Sequence, residues 1–169
     1  YRTVVNIPDT AGKSLTLKFD GAMSHAKVKV NGRQVAYWPY GYNTFTANLD
    51  GVAVPGDNVV EVSLENMPRS SRWYPGAGLY RNVHLIETSK VHIPVWGTYL
   101  TTPYVSKDYA TVRIKYDIEG VTKGQEVTLS TILRNQEGKE VASDTHAYKI
   151  YPGATPTQNF VVDRPSLWS

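Results

Sequence analysis

The chain has no cysteine in 169 residues. That excludes a disulfide framework, a thiol nucleophile and a thiolate zinc site, and it leaves the redox compartment open. Long apolar runs are missing too: none approaches the roughly 20 residues that a membrane-spanning helix needs. No dense basic tract is present. Its 18 Lys and Arg stand against 15 Asp and Glu. They are spread evenly on both sides of Thr88, whereas a nucleic-acid footprint would cluster on one face. The 41% hydrophobic and 20% charged content is ordinary globular usage, so disorder and collagen-like repetition are excluded. What the chain has in excess is aromatic: 12 Tyr, 4 Trp and 3 Phe. Such rings fill β cores, and when exposed they offer flat faces to sugars.

The dominant period is two. Leu15-Thr16-Leu17-Lys18-Phe19, Lys27-Val28-Lys29-Val30, Val60-Glu61-Val62-Ser63-Leu64 and the run from Val112 to Ile118 alternate apolar and polar residues. Strand side chains point to opposite faces in turn, so each segment offers one face to a core and one to water. No ten-residue stretch follows a 3.6 period. Turn chemistry agrees. Asn31-Gly32 is a strong hairpin signal because both residues tolerate positive φ. Pro55-Gly56, Gly120 and Lys123-Gly124 punctuate the rest. The expected fold class is all-β, as two sandwiches, residues 1–88 and 89–169. The second has strand candidates near 93–102, 109–118, 126–134, 140–150 and 157–162, with Pro94 placed at an edge or bulge. That is fewer than the seven or so of an immunoglobulin-like sandwich.

Two segments carry candidate chemistry. The first, Arg69 to Val83, crowds three Arg and three aromatics into a loop interrupted by Pro75, Gly76 and Gly78. Trp73 or Tyr74 can stack on a sugar face, and Arg72 can hydrogen-bond hydroxyls through its fork of donors. In the structural alternative Trp73 and Tyr80 cap the core while the arginines pair with carboxylates. The second, Tyr37-Trp38-Pro39-Tyr40-Gly41-Tyr42-Asn43-Thr44-Phe45, is either an exposed aromatic platform or the closure of one sandwich end.

Catalytic machinery is not legible. Glu61, Glu65, Asp117 and Glu119 alternate with core residues, and Asp20 and Asp50 adjoin glycines as turn residues. His25, His84, His92 and His146 are expected on separate strands without metal-ligand spacing. There is no nucleophile elbow and no phosphate-cradling glycine loop. The expectation is therefore no catalytic residue, no metal site and no cofactor.

Several segments, taken in order, carry a family resemblance. They are Phe19-Asp20-Gly21-Ala22-Met23-Ser24, Val28-Lys29-Val30-Asn31-Gly32, Pro39-Tyr40-Gly41-Tyr42-Asn43-Thr44-Phe45, Gly76-Ala77-Gly78-Leu79-Tyr80-Arg81-Asn82-Val83, the run from Val91 to Pro103, and Arg164-Pro165-Ser166-Leu167-Trp168-Ser169. Together they resemble the non-catalytic front of family 2 glycoside hydrolases, most of all the β-galactosidase branch of bacterial type. The resemblance implies a jelly-roll, galactose-binding-like domain over 1–88 whose first strands precede Tyr1. It implies an immunoglobulin-like sandwich over 89–169 whose last strands follow Ser169. In this family a (β/α)8 barrel comes next, with two glutamates, acid/base and nucleophile, about 5–5.5 Å apart for a retaining mechanism.

The resemblance further implies that the 169 residues are a fragment of a larger enzyme, inactive alone, whose partners are that barrel and a β-galactoside-type carbohydrate. The loop matching Ser70–Gly78 reaches the barrel mouth in the family, which makes Arg72, Trp73 and Tyr74 the expected substrate-binding residues. An acidic residue near this loop contributes to a sodium site in some large galactosidases. Ser70 and Arg72 stand there in this chain, so no metal is carried over. An incomplete second sandwich would leave an unpaired edge prone to association, so an oligomer is an expected partner state. Periplasm and cytoplasm both stay open. A stand-alone carbohydrate-binding module predicts a stop codon soon after Ser169 and measurable sugar binding, whereas a purely structural docking sandwich predicts a large apolar surface.

Overall fold

The computed structural model describes residues 1–67 and 76–168. Among them there is no helix, and so none long and apolar enough to cross a membrane. The chain divides into two compact units, Tyr1–Ser89 and Lys90–Ser169. Both are built of antiparallel strands in sandwich-like sheets, so the protein is all-β.

The first unit contains β1 (Arg2–Ile7), β2 (Lys13–Phe19), β3 (Ala22–Met23), β4 (Ala26–Val30), β5 (Arg33–Trp38), β6 (Phe45–Asn48), β7 (Gly56–Ser63), β8 (Gly78–Leu79) and β9 (Val83–Ser89). One sheet runs β1-β7-β4-β5, a second runs β6-β2-β9, and β3 pairs with β8. Alternation does what it should. Leu15, Leu17 and Phe19 of β2 meet Val28 and Val30 of β4 and Val60 and Val62 of β7 in one buried cluster. Phe45 sits at its centre, stacked on Phe19 at 4.7 Å and on Trp38 at 5.8 Å between ring centroids.

The Asn31-Gly32 hairpin forms with φ of 50° and 79°, which only such residues adopt without strain. It is also a structural node. Asn31 Nδ2 donates to Asn58 Oδ1 at 2.9 Å, and Asn31 Oδ1 accepts from Val59 N at 3.0 Å. Asn58 is 1% exposed and spends both donors and its acceptor on neighbours, bonding the Val54 and Gly56 carbonyls and the Val54 amide. A buried amide with all its bonds made is stabilising; the same groups stripped of partners are costly.

The second unit contains β10 (Thr98–Val105), β11 (Tyr109–Tyr116), β12 (Gln125–Arg134), β13 (Glu140–Ile150) and β14 (Thr157–Asp163). Its sheets run β10-β11-β14 and β12-β13. Ile114, Tyr116, Ile118, Leu129, Ile150 and Phe160 form its core. A polar chain joins the two sheets through that core. Thr131 donates to Gln158 Oε1 at 2.6 Å, which leaves Thr131 Oγ1 to accept from the Tyr116 hydroxyl, also at 2.6 Å. Gln158 Nε2 in turn donates to Asp144 at 2.9 Å. Burial, then Asp144 and Tyr116, push the neighbouring Tyr148 phenol above its ordinary pKa.

Three expectations need correction. The strand expected from residue 93 begins only at Thr98. Pro94 lies in a turn, where its carbonyl accepts from Gly97 N at 2.9 Å and Trp96 takes φ of 62°, a geometry no strand continues. The loop from Arg69 is expected to feed a strand at Tyr80, whereas β9 opens at Val83. Of the four histidines, His25 and His92 lie outside the named strands, so only His84 and His146 occupy them.

Replacing Asn58 by Leu keeps its branched shape and strands the Val54 amide and carbonyl. Stability should fall by at least about 2–3 kcal/mol, read as a lower urea midpoint of the transition that reports the first unit. An unchanged midpoint would show that the buried amide is dispensable.

Candidate functional site

The tripeptide Ala22-Met23-Ser24 organises one end of the first unit. Ser24 Oγ donates to the Glu65 carbonyl and Glu65 N donates back to the Ser24 carbonyl, both at 2.9 Å. One residue earlier, Met23 pairs with Gly78 across the β3–β8 ladder. The chain therefore enters the stretch from Asn66 to Ala77 and leaves it on the same short segment. Arg72, Trp73 and Tyr74, the substrate-binding residues expected from sequence, belong to that stretch and lie outside the described residues, as do Ser70 and Arg69.

The aromatic segment comes to the same place. His25 N donates to the Pro39 carbonyl at 3.1 Å, and the Tyr80 hydroxyl donates to the Gly41 carbonyl at 2.7 Å. Two glycines permit this convergence. A Cβ on Gly21 would stand 2.6 Å from Cζ of Tyr80, and one on Gly41 would overlap the Met23 sulfur and come within 3.2 Å of the Met23 Cα. Bare backbone is what lets the three segments lie against one another. Trp38 and Phe45 of the aromatic segment pack into the core, whereas Tyr40 and Tyr42 remain about half exposed with rings edge to face at 5.5 Å. The segment is thus both closure and platform. Tyr80 is half exposed as well, with the Arg81 guanidinium 5.4 Å from its ring centre. It does not cap the core.

Three carboxylates of the first unit serve the scaffold. Asp20 accepts from His84 at 2.7 Å and pairs with Lys18 at 3.0 Å. The His84 hydrogen bond, followed by Lys18, holds its carboxyl below the usual carboxylate range. Asp50 accepts from Ser14 Oγ and Leu15 N, and Glu87 pairs with Lys13 at 2.8 Å. Among the described residues no group of three or more His, Asp or Glu is arranged to hold a metal ion. In the sequence, Ala22-Met23-Ser24 and Gly41 show no task of their own. Their signal was the small residue in each segment, which acquires meaning only once the segments are adjacent.

No protein-family model matches the chain. It is 34% identical over 174 aligned residues to the beta-galactosidase BoGH2A of Bacteroides ovatus, covering 99% of this chain and 20% of that protein. It also superposes, with a TM-score of 0.91 and 30% identity, on a glycosyl hydrolase family 2 member from Bacteroides cellulosilyticus, over 99% of this chain and 22% of that structure. Along its whole length the chain is homologous to glycoside hydrolase family 2 proteins. A beta-glucuronidase of Bacteroides fragilis is 26% identical over 96% of the chain and 25% of its own length. The chain thus spans about a fifth to a quarter of these relatives.

Two outcomes are expected at this site. Gly21→Ala displaces the Tyr80 ring and costs about 1–3 kcal/mol, while Tyr80→Phe costs about 1 kcal/mol. Because both break the same contact, the double variant should lose less than the sum in thermal denaturation; strict additivity would disconnect them. Asp20 provides a pH readout. Its folded pKa is depressed, so its contribution is present above the ordinary carboxylate pKa and disappears as pH falls through the lowered one. His84→Ala should move the Asp20 titration upward in carboxyl-detected NMR, and no movement would remove His84 as the cause.

Proposed function

We propose that the chain braces a family 2 β-glycosidase and helps to form the sugar subsite of a (β/α)8 catalytic barrel that breaks the bond. The barrel would supply the paired glutamates of a retaining mechanism. This chain supplies recognition. Arg72 offers its fork of donors to ring hydroxyls, Trp73 stacks on the sugar face, and Tyr74 lines the subsite beside them. The observation that carries the reading is the double anchorage of residues 66–77 on Ala22-Met23-Ser24, with Gly41 and Tyr80 packed beside it. Binding loops need a rigid base, since a displacement of an ångström at a subsite is expensive.

The favoured substrate is a terminal β-galactoside. Support comes from the segments resembling the galactosidase branch and from the 34% identity to a protein named beta-galactosidase, against 26% to one named beta-glucuronidase.

The test uses the full polypeptide that carries this sequence. Trp73→Ala should lower kcat/KM on a nitrophenyl β-galactoside by about tenfold or more, equivalent to ~1.4 kcal/mol or more, with thermal stability unchanged. Unaltered kcat/KM rejects the role of Trp73. A parent that hydrolyses the glucuronide and ignores the galactoside overturns the choice of substrate.

A further inference from the structure

The outer face of the β10-β11-β14 sheet does not look like a solvated sheet face. Register defines it. Rows across the three strands read Tyr99–Lys115–Thr157, Thr101–Arg113–Asn159 and Tyr104–Thr111–Val161, followed by the pair Tyr109–Asp163. The alternate residues Ala110, Ile114, Tyr116, Gln158 and Phe160 are buried, so these rows point away from the core. Three tyrosines nevertheless stand here, 66%, 49% and 41% exposed at positions 99, 104 and 109. Tyr104 and Tyr109 stack on each other with centroids 4.8 Å apart. No core requirement accounts for them.

Their spacing is informative. Tyr99 faces Lys115 and Tyr104 faces Thr111, four residues apart on β11, so the two aromatic platforms lie about 13–14 Å from one another. Between them β10 slips register after Thr101, and a shallow groove of about 190 Å³ opens there. Pro103, Thr111, Arg113, Asn159 and Val161 line it. Arg113 Nε donates to Asn159 Oδ1 at 3.0 Å, which fixes the guanidinium. Bulges recur where a sheet re-aims side chains beside a site.

We propose that this face binds a linear, β-linked oligosaccharide. A stretched chain of a few linked rings covers the distance between the platforms. Its end rings stack on Tyr99 and on the Tyr104–Tyr109 pair, while Arg113, Asn159 and Thr111 hydrogen-bond hydroxyls of the middle. Tyr and Arg are also enriched at protein interfaces; the spacing of the two platforms and the polar groups fixed between them favour the sugar chain. The proposal concerns the second unit alone and does not rest on the subsite reading above, so either can fail without the other.

The experiment is NMR titration of the isotopically labelled 169-residue chain with galactotetraose, xylotetraose and laminaritetraose, all β-linked, and with galactose. At least one tetrasaccharide should shift amides of Tyr99, Tyr104, Thr111, Arg113 and Asn159 saturably, and galactose should not. Tyr99→Ser and Tyr104→Ser should each weaken binding by about tenfold or more, and Tyr99→Trp, which keeps the platform, should retain it. No saturable shift with any tetrasaccharide at about 10 mM, a concentration that would reveal a Kd of about 1 mM, overturns the proposal. So does binding that survives the Tyr99→Ser/Tyr104→Ser double variant, or that maps to Tyr40 and Tyr42 instead.

Discussion

Close approach of backbone to side chain at Gly21 and Gly41 is the constraint on which the anchored end of the first unit depends. Neither glycine is needed there for an unusual φ; each is needed for the volume it leaves empty. Tyr80 fills the space over Gly21 and reaches Gly41 with its hydroxyl, while Met23 fills the space beside Gly41. Segments far apart in sequence become one surface. Interiors are close-packed, so even one added methyl at such a contact is felt.

The two units solve the same packing problem with different chemistry. In the first, a polar node sits at the hairpin, where Asn58 and Asn31 tie backbone groups that the turn leaves unpaired. In the second, the polar chain from Tyr116 through Thr131 and Gln158 to Asp144 crosses the interior and joins one sheet to the other. Apolar contact alone fixes sheets only loosely in register, because it is non-directional. A buried hydrogen-bonded bridge is directional and penalises any slip that leaves a group unmet. That explains why Gln158, only 2% exposed, is tolerated beside a core of Ile, Leu, Phe and Tyr116.

Much of this was legible in sequence, and the exceptions have physical causes. The alternation of Leu15, Leu17 and Phe19 or of Ile114 and Tyr116 names the inward face directly, since strand periodicity is local. The Asn31-Gly32 turn is local too. The run from Val91 to Trp96 misleads because its composition is that of a strand while Pro94 removes a ladder donor and Trp96 adopts positive φ. The task of Ala22-Met23-Ser24 was hidden for another reason: its partners, Glu65 and Gly78, are brought to it only by sheet pairing. Nothing in a three-residue string announces a contact forty or more positions away. For Arg72, Trp73 and Tyr74 the fold fixes only where their stretch begins and returns.

The distribution of tyrosine follows from the same logic. A ring with a hydroxyl can bury its body and keep its tip wet, so twelve tyrosines do not have to become twelve core residues. Tyr116 is buried and spends its hydroxyl on Thr131. Tyr80 is half out and spends its hydroxyl on a loop carbonyl. Tyr99 has neither a core to fill nor a recorded hydroxyl partner among the described residues, and it stands two-thirds exposed on a face that alternation assigns to water. Stability gives no reason for an aromatic there, because a threonine, as at Thr101 on the same strand, suits an outward strand position as well. A sheet that keeps its rings outside and its polar groups between them is shaped for a ligand with apolar faces and hydroxylated edges.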